Sequence, residues 1–224
     1  MALYLIATPI GNLADISQRA LETLERVDLI LAEDTRRTGL LLNYFTIKQK
    51  MLSFHEHNEV ARIDGVLNLL REGKDIAIVT DAGMPTISDP GFKLVRAAIE
   101  QNIKVEPIPG PSAVLTALAA SGLPTDRFLF LGYLPKGAGK TQRLLDNIQK
   151  IIEILPTTLI FFESPHRLLK TISALKTAFP ASQLVVAKEL TKAHEEFIRG
   201  SIAEVLEKLE QSNLKGEYTL VLRQ

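Results

Sequence analysis

Short apolar runs and helical patterns alternate along almost the whole chain. Leu3–Ala7, Leu29–Glu33, Met51–Phe54, Ile76–Thr80 and Val105–Ile108 read as strands, because brief apolar runs bounded by turn-forming residues fit strands better than helices. Between them apolar residues recur at helical spacing and predict helices over Ser17–Val27, Thr35–Phe45, Glu59–Glu72 and Phe92–Gln101. Val60, Ile63, Val66, Leu69 and Leu70 form the inward face of the third helix, and Gly73 stops it. Phe92, Leu94, Val95, Ala98 and Ile99 form the apolar side of the fourth, with Asp89 as its N-cap and Pro90 as its first residue.

A second set follows a small-residue helix at Ala113–Ser121. It comprises strands at Phe128–Leu131, Thr158–Phe162, Leu184–Ala187, Phe197–Gly200 and Tyr218–Leu222. Helices are predicted around Arg143–Leu155, from Pro165 to Phe179 and over Ile202–Gln211. Continuous apolar strands alternating with helices imply an α/β fold with largely parallel sheets covered on both faces. A break near Gly122-Leu123-Pro124-Thr125-Asp126 divides the chain into two α/β domains of similar size, residues 1–112 and 113–224.

Composition narrows the function classes. The 224 residues include 46% hydrophobic and 23% charged positions, ordinary for a globular protein. Lys+Arg and Asp+Glu both number 26, so nucleic-acid binding would need a local basic patch. With no cysteine, disulfides, thiolate metal sites and Cys nucleophiles are excluded. The start lacks a signal-peptide pattern and no apolar run reaches the ~20 residues of a membrane span. A cytoplasmic location is the expectation.

Polar clusters recur just after predicted strands: Thr8-Pro9-Ile10-Gly11-Asn12, Asp34-Thr35-Arg36-Arg37, His55-Glu56-His57-Asn58, Asp81 to Gly91, and Pro109-Gly110-Pro111-Ser112. A parallel sheet brings its carboxyl ends to one edge, where ligands bind. Strand-to-helix connections are usually ~2–6 residues, so the long 81–91 segment, with two prolines and two glycines, is built to shape a site. Gly11 alone does not make a dinucleotide fingerprint, and it serves a tight turn or a ligand contact equally well.

Lys136-Gly137-Ala138-Gly139-Lys140-Thr141 is half a phosphate-binding loop, but Leu134 stands where that pattern needs glycine. Lys136, Lys140 and Arg143 read instead as a flexible basic loop, either holding nucleic-acid phosphates or merely solvated. His55-Glu56-His57 lacks a third metal ligand and suits proton transfer or a helix start better. Arg36 and Arg37 at a positive helix end point to a bound anion, or to a structural pair with Asp34. Glu163 to Arg167 and Lys188 to Lys192 repeat the strand-then-polar theme, and Ser164 before Pro165 is a local helix cap.

Read together, these motifs make the chain similar to the tetrapyrrole (corrin/porphyrin) methylase family, in particular to its branch acting on small-subunit ribosomal RNA. The carriers, in order, are Ala7 to Leu13, Ala32 to Arg36, Ser53 to Asn58, Asp81-Ala82-Gly83, Ser88-Asp89-Pro90-Gly91, Pro109 to Ser112, Phe162 to Arg167 and Lys188 to Lys192. Asp81-Ala82-Gly83 stands where small-molecule methylases often carry glycine-aspartate-proline, which favours the RNA branch.

The resemblance implies two α/β domains with S-adenosylmethionine in the cleft between them, a homodimer, and methylation of a cytidine 2′-hydroxyl in the decoding region of 16S rRNA. It implies cofactor contacts at Ile10, Asp81, Met84, Ser112, Ala113, Phe162, Glu189 and Tyr218, and no metal. Helix starts near Pro90 and Ser112 would receive the cofactor carboxylate. RNA contacts fall to Arg36, Arg37, Lys136, Lys140 and Arg143. Candidate bases for the ribose hydroxyl are His55, Glu56, Asp34 and Glu33. Related proteins often continue beyond the last strand, so a C-terminal RNA-binding piece is expected to be missing or short. The alternatives are a methylase of a small tetrapyrrole, and a non-catalytic ribosome-associated RNA-binding module.

Overall fold

The computed structural model describes residues 1–224. The chain separates into two compact units, Met1–Ser112 and Ala113–Gln224.

The first unit alternates strands β1 (Leu3–Ile6), β2 (Leu29–Ala32), β3 (Met51–Ser53), β4 (Ile76–Val79) and β5 (Val105–Ile108) with helices α1 (Gln18–Arg26), α2 (Thr35–Tyr44), α3 (Glu59–Arg71) and α4 (Phe92–Glu100). The strands pair in the order β3-β2-β4-β1-β5, all parallel. Helical crossovers cover both faces of a parallel sheet, which is why β4 is buried at all four positions and reads as one apolar run. Two apolar clusters fill the unit. One is built around Ile6, Leu24 and Ile30, the other around Leu3, Leu31, Leu67, Leu70 and Ile78.

The second unit carries α5 (Ala113–Ser121), β6 (Phe128–Tyr133), α6 (Ala138–Ile154), β7 (Thr158–Glu163), α7 (Leu168–Ala178), β8 (Gln183–Lys188), β9 (Glu196–Ser201), α8 (Ile202–Glu210) and β10 (Tyr218–Arg223). Its strand order is β6-β7-β10-β8-β9. Only β6 and β7 are parallel; β10 inserts antiparallel between β7 and β8, and β9 pairs antiparallel with β8. The sheet is therefore mixed, not largely parallel. The short Lys188–Glu196 link and the helix-to-strand return through Gly216 permit antiparallel pairing, which strand composition alone does not distinguish.

Several local expectations are corrected. Asp89 is not the cap of α4. That role falls to Gly91 at φ 118°, whose N–H donates to the buried Glu59 carboxylate at 3.1 Å. On α3 the buried apolar positions are Val66, Leu67 and Leu70, with Ile63 and Leu69 packed partly buried beside them, whereas Val60 faces solvent, as do Phe92 and Ile99 on α4. Ser164 does not cap α7. It sits in a turn ahead of Arg167, the N-cap residue, and its carbonyl accepts the Arg167 N–H. The 136–143 segment is no flexible loop: α6 begins at Ala138 and takes in Lys140 and Arg143. At the start of α8, Ser201 and Glu204 close a capping box.

The left-handed Gly91 is a sharp test of this packing. A Cβ there would stand 2.6 Å from Ile78 Cδ1, inside the core. Gly91→Ala is expected to destabilise the first unit by about 1–3 kcal/mol, from the positive φ alone and more if Ile78 does not yield. A lowered urea midpoint at unchanged slope checks it.

Candidate functional site

All five polar clusters of the first unit follow strands of one parallel sheet, so they gather along its carboxyl edge. Loops after β1 and β4 are joined directly: Thr8 and Gly83 exchange both backbone hydrogen bonds, at 2.9 and 3.0 Å. The Thr8 hydroxyl also donates to the Thr80 carbonyl at 3.0 Å. A third loop closes in from β5. The ideal Cβ direction of Gly83 meets Ile10 Cγ2 at 3.6 Å and the Pro111 carbonyl at 3.9 Å. Gly110 lies so close to Ala7 that a Cβ would stand 3.0 Å from Ala7 Cβ. Ile10 is buried and Met84 and Ser112 are half-buried in this junction.

The 81–91 segment is held in a costly conformation. Gly83, Thr86, Ser88 and Gly91 all have positive φ, of 83°, 74°, 65° and 118°. Two of these residues carry side chains, and such positions each cost on the order of 1–3 kcal/mol and concentrate at ligand sites. The segment's prolines and its anchors at Thr8 and Glu59 hold it there.

Three carboxyl groups meet beside this junction. Glu33, at the end of β2, accepts the Asp81 N–H at 3.2 Å. Burial raises the pKa of Glu33, and the Asp81 charge adds to that. Burial likewise raises Asp81, against the pull of Arg37, which pairs with its Oδ2 at 3.2 Å. Asp89 is pushed up to about 7, first by burial and then by the Glu33 and Asp81 charges. The edge therefore holds more negative charge than it neutralises, and a cationic ligand would relieve it. Asp89 was assigned only a capping role by its position before proline. No sequence signal separates that role from a buried acid, because its burial comes from the folding-back of the loop.

The remaining candidates divide. Asp34 caps α2 and is held in a bidentate pair by Arg36, at 3.1 and 2.7 Å. The Arg36 side chain and backbone N–H hold the Asp34 carboxyl well below the usual range, so it is a poor proton acceptor. The structural Asp34–Arg36 pair thus accounts for one of the two arginines, while Arg37 is turned to Asp81. His55 gives its backbone N–H to Asn58 Oδ1, and its Nε2 lies 3.0 Å from Asn58 Nδ2. Its ring is thereby engaged in the turn before α3. Glu56 is exposed in the same turn. The start of α4 is already filled by Glu59, which pairs with Lys93 at 3.0 Å, so it does not offer a free anion site near Pro90.

In the second unit the assigned residues sit around the β7-β10-β8 strand ends. Phe162 packs edge-on to Phe130 at 4.8 Å and lies 5.8 Å from the exposed Tyr133. Tyr218 is buried in the core, between Glu163 and Lys188 in the ladder. Glu189, at φ 52°, closes a clamp: its Oε1 accepts from Lys192 Nζ and from the Glu217 N–H, both at 2.9 Å. Burial works against ionisation of Glu189, but these partners hold its pKa below the usual value. A Cβ on Gly216 would stand 2.9 Å from Glu189 Cγ, so glycine is needed at that crossing. Glu163, which the sequence reading treated only as part of a motif, is an anchor. It is buried and accepts from the Ser164 N–H and the Thr171 hydroxyl. Lys136 and Lys140 are exposed, and Arg143 folds its Nε toward the Gly139 carbonyl at 3.4 Å.

Comparison with known proteins adds an independent line. Residues 2–206 match the family model of tetrapyrrole (corrin/porphyrin) methylases. The chain is 48% identical over 220 residues to the ribosomal RNA small subunit methyltransferase I of Thermotoga maritima, covering 98% of this chain and 97% of that protein. It is 49% identical over 224 residues to the protein of the same name from Escherichia coli O157:H7, covering 98% and 77%. Among solved structures it resembles a cobalt precorrin-4 methyltransferase, with a TM-score of 0.71 at 18% identity over 99% of this chain and 94% of that one. It also resembles a uroporphyrin-III C-methyl transferase from Thermus thermophilus complexed with S-adenyl homocysteine, with a TM-score of 0.65 at 16% identity over 99% and 97%. At such identities the likeness is one of fold.

The carboxyl cluster makes stability depend on pH. Asp89 has a folded pKa of about 7, above its ordinary value of 3.8. The folded state therefore binds more protons than the unfolded chain between these values, and stability falls as pH rises through that window. Asp89→Asn is expected to flatten this decline and to be more stable than the parent at pH 8. Urea unfolding at pH 5 and pH 8 checks both statements.

Proposed function

The chain belongs to the tetrapyrrole (corrin/porphyrin) methylase family, and we propose that it is an S-adenosylmethionine-dependent methyltransferase of small-subunit ribosomal RNA. The observation that carries this reading is the carboxyl edge of the first sheet, where rigid loops converge beside half-buried carboxyl groups. Near-half identity to the two ribosomal RNA enzymes, against 16–18% to the small-molecule methylases, selects RNA over a tetrapyrrole as acceptor. The acceptor is the 2′-hydroxyl of a cytidine in the decoding region of 16S rRNA, presented in the small ribosomal subunit. The protein acts in the cytoplasm as a homodimer. No helix is long and apolar enough to cross a membrane.

The edge fits the methyl donor. Ile10 and Met84 offer apolar contact, the loops 81–84 and 109–112 offer backbone groups, and the carboxyl cluster suits a positive charge. When bound, S-adenosylmethionine supplies an electrophilic methyl group on a sulfonium. Ile10, Asp81, Met84 and Ser112 hold it in the first unit. Methyl transfer is a displacement in which placement supplies much of the rate, and the rigid 81–91 segment provides placement.

Glu33 takes the proton of the ribose hydroxyl. Its carboxylate is the one among the sequence candidates whose affinity for a proton is raised, and Asp89 beside it shares the load. Arg37, Lys136, Lys140 and Arg143 take RNA phosphates, so affinity for the subunit falls with added salt.

Labelled methyl donor and subunits lacking the modification test the reading. Label is expected on 16S rRNA; label on a small tetrapyrrole but not on RNA would overturn it, and no heat of cofactor binding would leave only an RNA-binding module. Asp81→Ala is expected to weaken cofactor binding in calorimetry. Glu33→Gln is expected to lower kcat about 100-fold or more while cofactor affinity is kept; unchanged turnover would remove Glu33 as the proton acceptor.

A further inference from the structure

The first unit contains a cavity of about 360 Å³ that shares with the cofactor assignment only Asp81 in its wall. It lies on the α2 side of Asp81. Thr8 and Pro9 of the β1 loop also line it, so it adjoins the junction where Gly83 approaches Ile10 and Pro111. Its walls are Leu13, Leu40, Leu41 and Tyr44, and its polar end is Arg37, Thr80 and Asp81. The volume is within the range of small-molecule sites, about 300–1,000 Å³.

Three features give the cavity a chemical preference. Tyr44 and Leu40 are 66% and 72% exposed, an unusual pair of large apolar groups on one helix end. The Tyr44 ring is braced edge-on against Phe45, with centroids 4.9 Å apart at 82°, so one aromatic face is pre-set without further ordering. At the polar end, Thr80 Oγ1 and Asp81 Oδ1 are buried. Thr80 lies against Asp89 and Asp81 against the Asp34 backbone, so both stand at a polar end that can still accept a further donor. Arg37, exposed and turned to Asp81 Oδ2, supplies a cation at the same mouth.

An aromatic face, apolar walls, a polar end at Thr80 and Asp81, and one arginine match a single nucleoside with its phosphate. Unstacked RNA bases are recognised in this manner, on aromatic side chains and through their edges. We propose that this cavity receives the acceptor nucleoside of the RNA, with its base on Tyr44, its edge toward Thr80 and Asp81, and a flanking phosphate at Arg37. A carboxylate is the side chain that accepts from the cytosine amino group, so Asp81 favours a cytidine there. The charged end distinguishes the cavity from a flat apolar patch suited to a second copy of the chain. This inference rests on the RNA methyltransferase reading above.

The experiment compares the parent, Tyr44→Ala and Tyr44→Phe on small ribosomal subunits that lack the modification. It measures KM for the subunit, kcat, cofactor affinity by calorimetry and mass by light scattering. Tyr44→Ala is expected to raise the subunit KM roughly tenfold, the order expected for loss of one base–aromatic stack. Cofactor affinity and mass should stay unchanged, and Tyr44→Phe should restore the parental KM. An unchanged KM in Tyr44→Ala overturns the proposal. So does a change of mass, which would make the patch a contact between copies, or a loss of cofactor affinity, which would make it part of the cofactor site. A parent that methylates no subunit removes the RNA reading itself, and this inference with it.

Discussion

The first unit depends on one constraint: β1 and β4 are neighbouring parallel strands buried on both faces. Parallel pairing needs a crossover after every strand, so every outgoing loop leaves from the same edge. Loops after β1, β4 and β5 then have nowhere to go but against one another. The Thr8–Gly83 exchange of hydrogen bonds and the approach of Gly110 to Ala7 are the outcome. The site is a consequence of sheet geometry before any particular side chain is considered.

Strain and charge at that edge have a common support. Four residues of 81–91 occupy positive φ, and the segment ends where Glu59, buried under α4, receives the Gly91 N–H. The same folding-back buries Asp89 beside Glu33 and Asp81. A loop that relaxed would lose its backbone cost and its elevated acid together. The core thus offsets a local penalty to keep carboxyl groups half-dry where a positive ligand and a proton transfer need them.

Much of this was legible in the sequence. The five strands of the first unit and their edge clusters follow from apolar runs punctuated by Pro and Gly, because double burial removes alternation and leaves a plain signal. The mixed second sheet was not legible, since an apolar run looks the same whichever way its neighbour points. Asp89 was misread because Asp before Pro is a common helix start, and only the left-handed Gly91 shows that the helix begins later. The Asp34–Arg36 pair was among the readings of that motif; the turn of Arg37 toward Asp81 was not, because it joins residues on different loops. The cavity beside Tyr44 was invisible for the same reason: its lining comes from three separate stretches of chain.

In the proposed reaction the methyl group goes to a ribose oxygen. A 2′-O-methyl group removes the hydroxyl that alkali uses to cleave the adjoining phosphodiester. Alkaline digestion of 16S rRNA labelled by this protein is predicted to leave the label in an alkali-resistant dinucleotide whose 5′ residue is cytidine. Label recovered in mononucleotides would place the methyl group on a base and contradict the account.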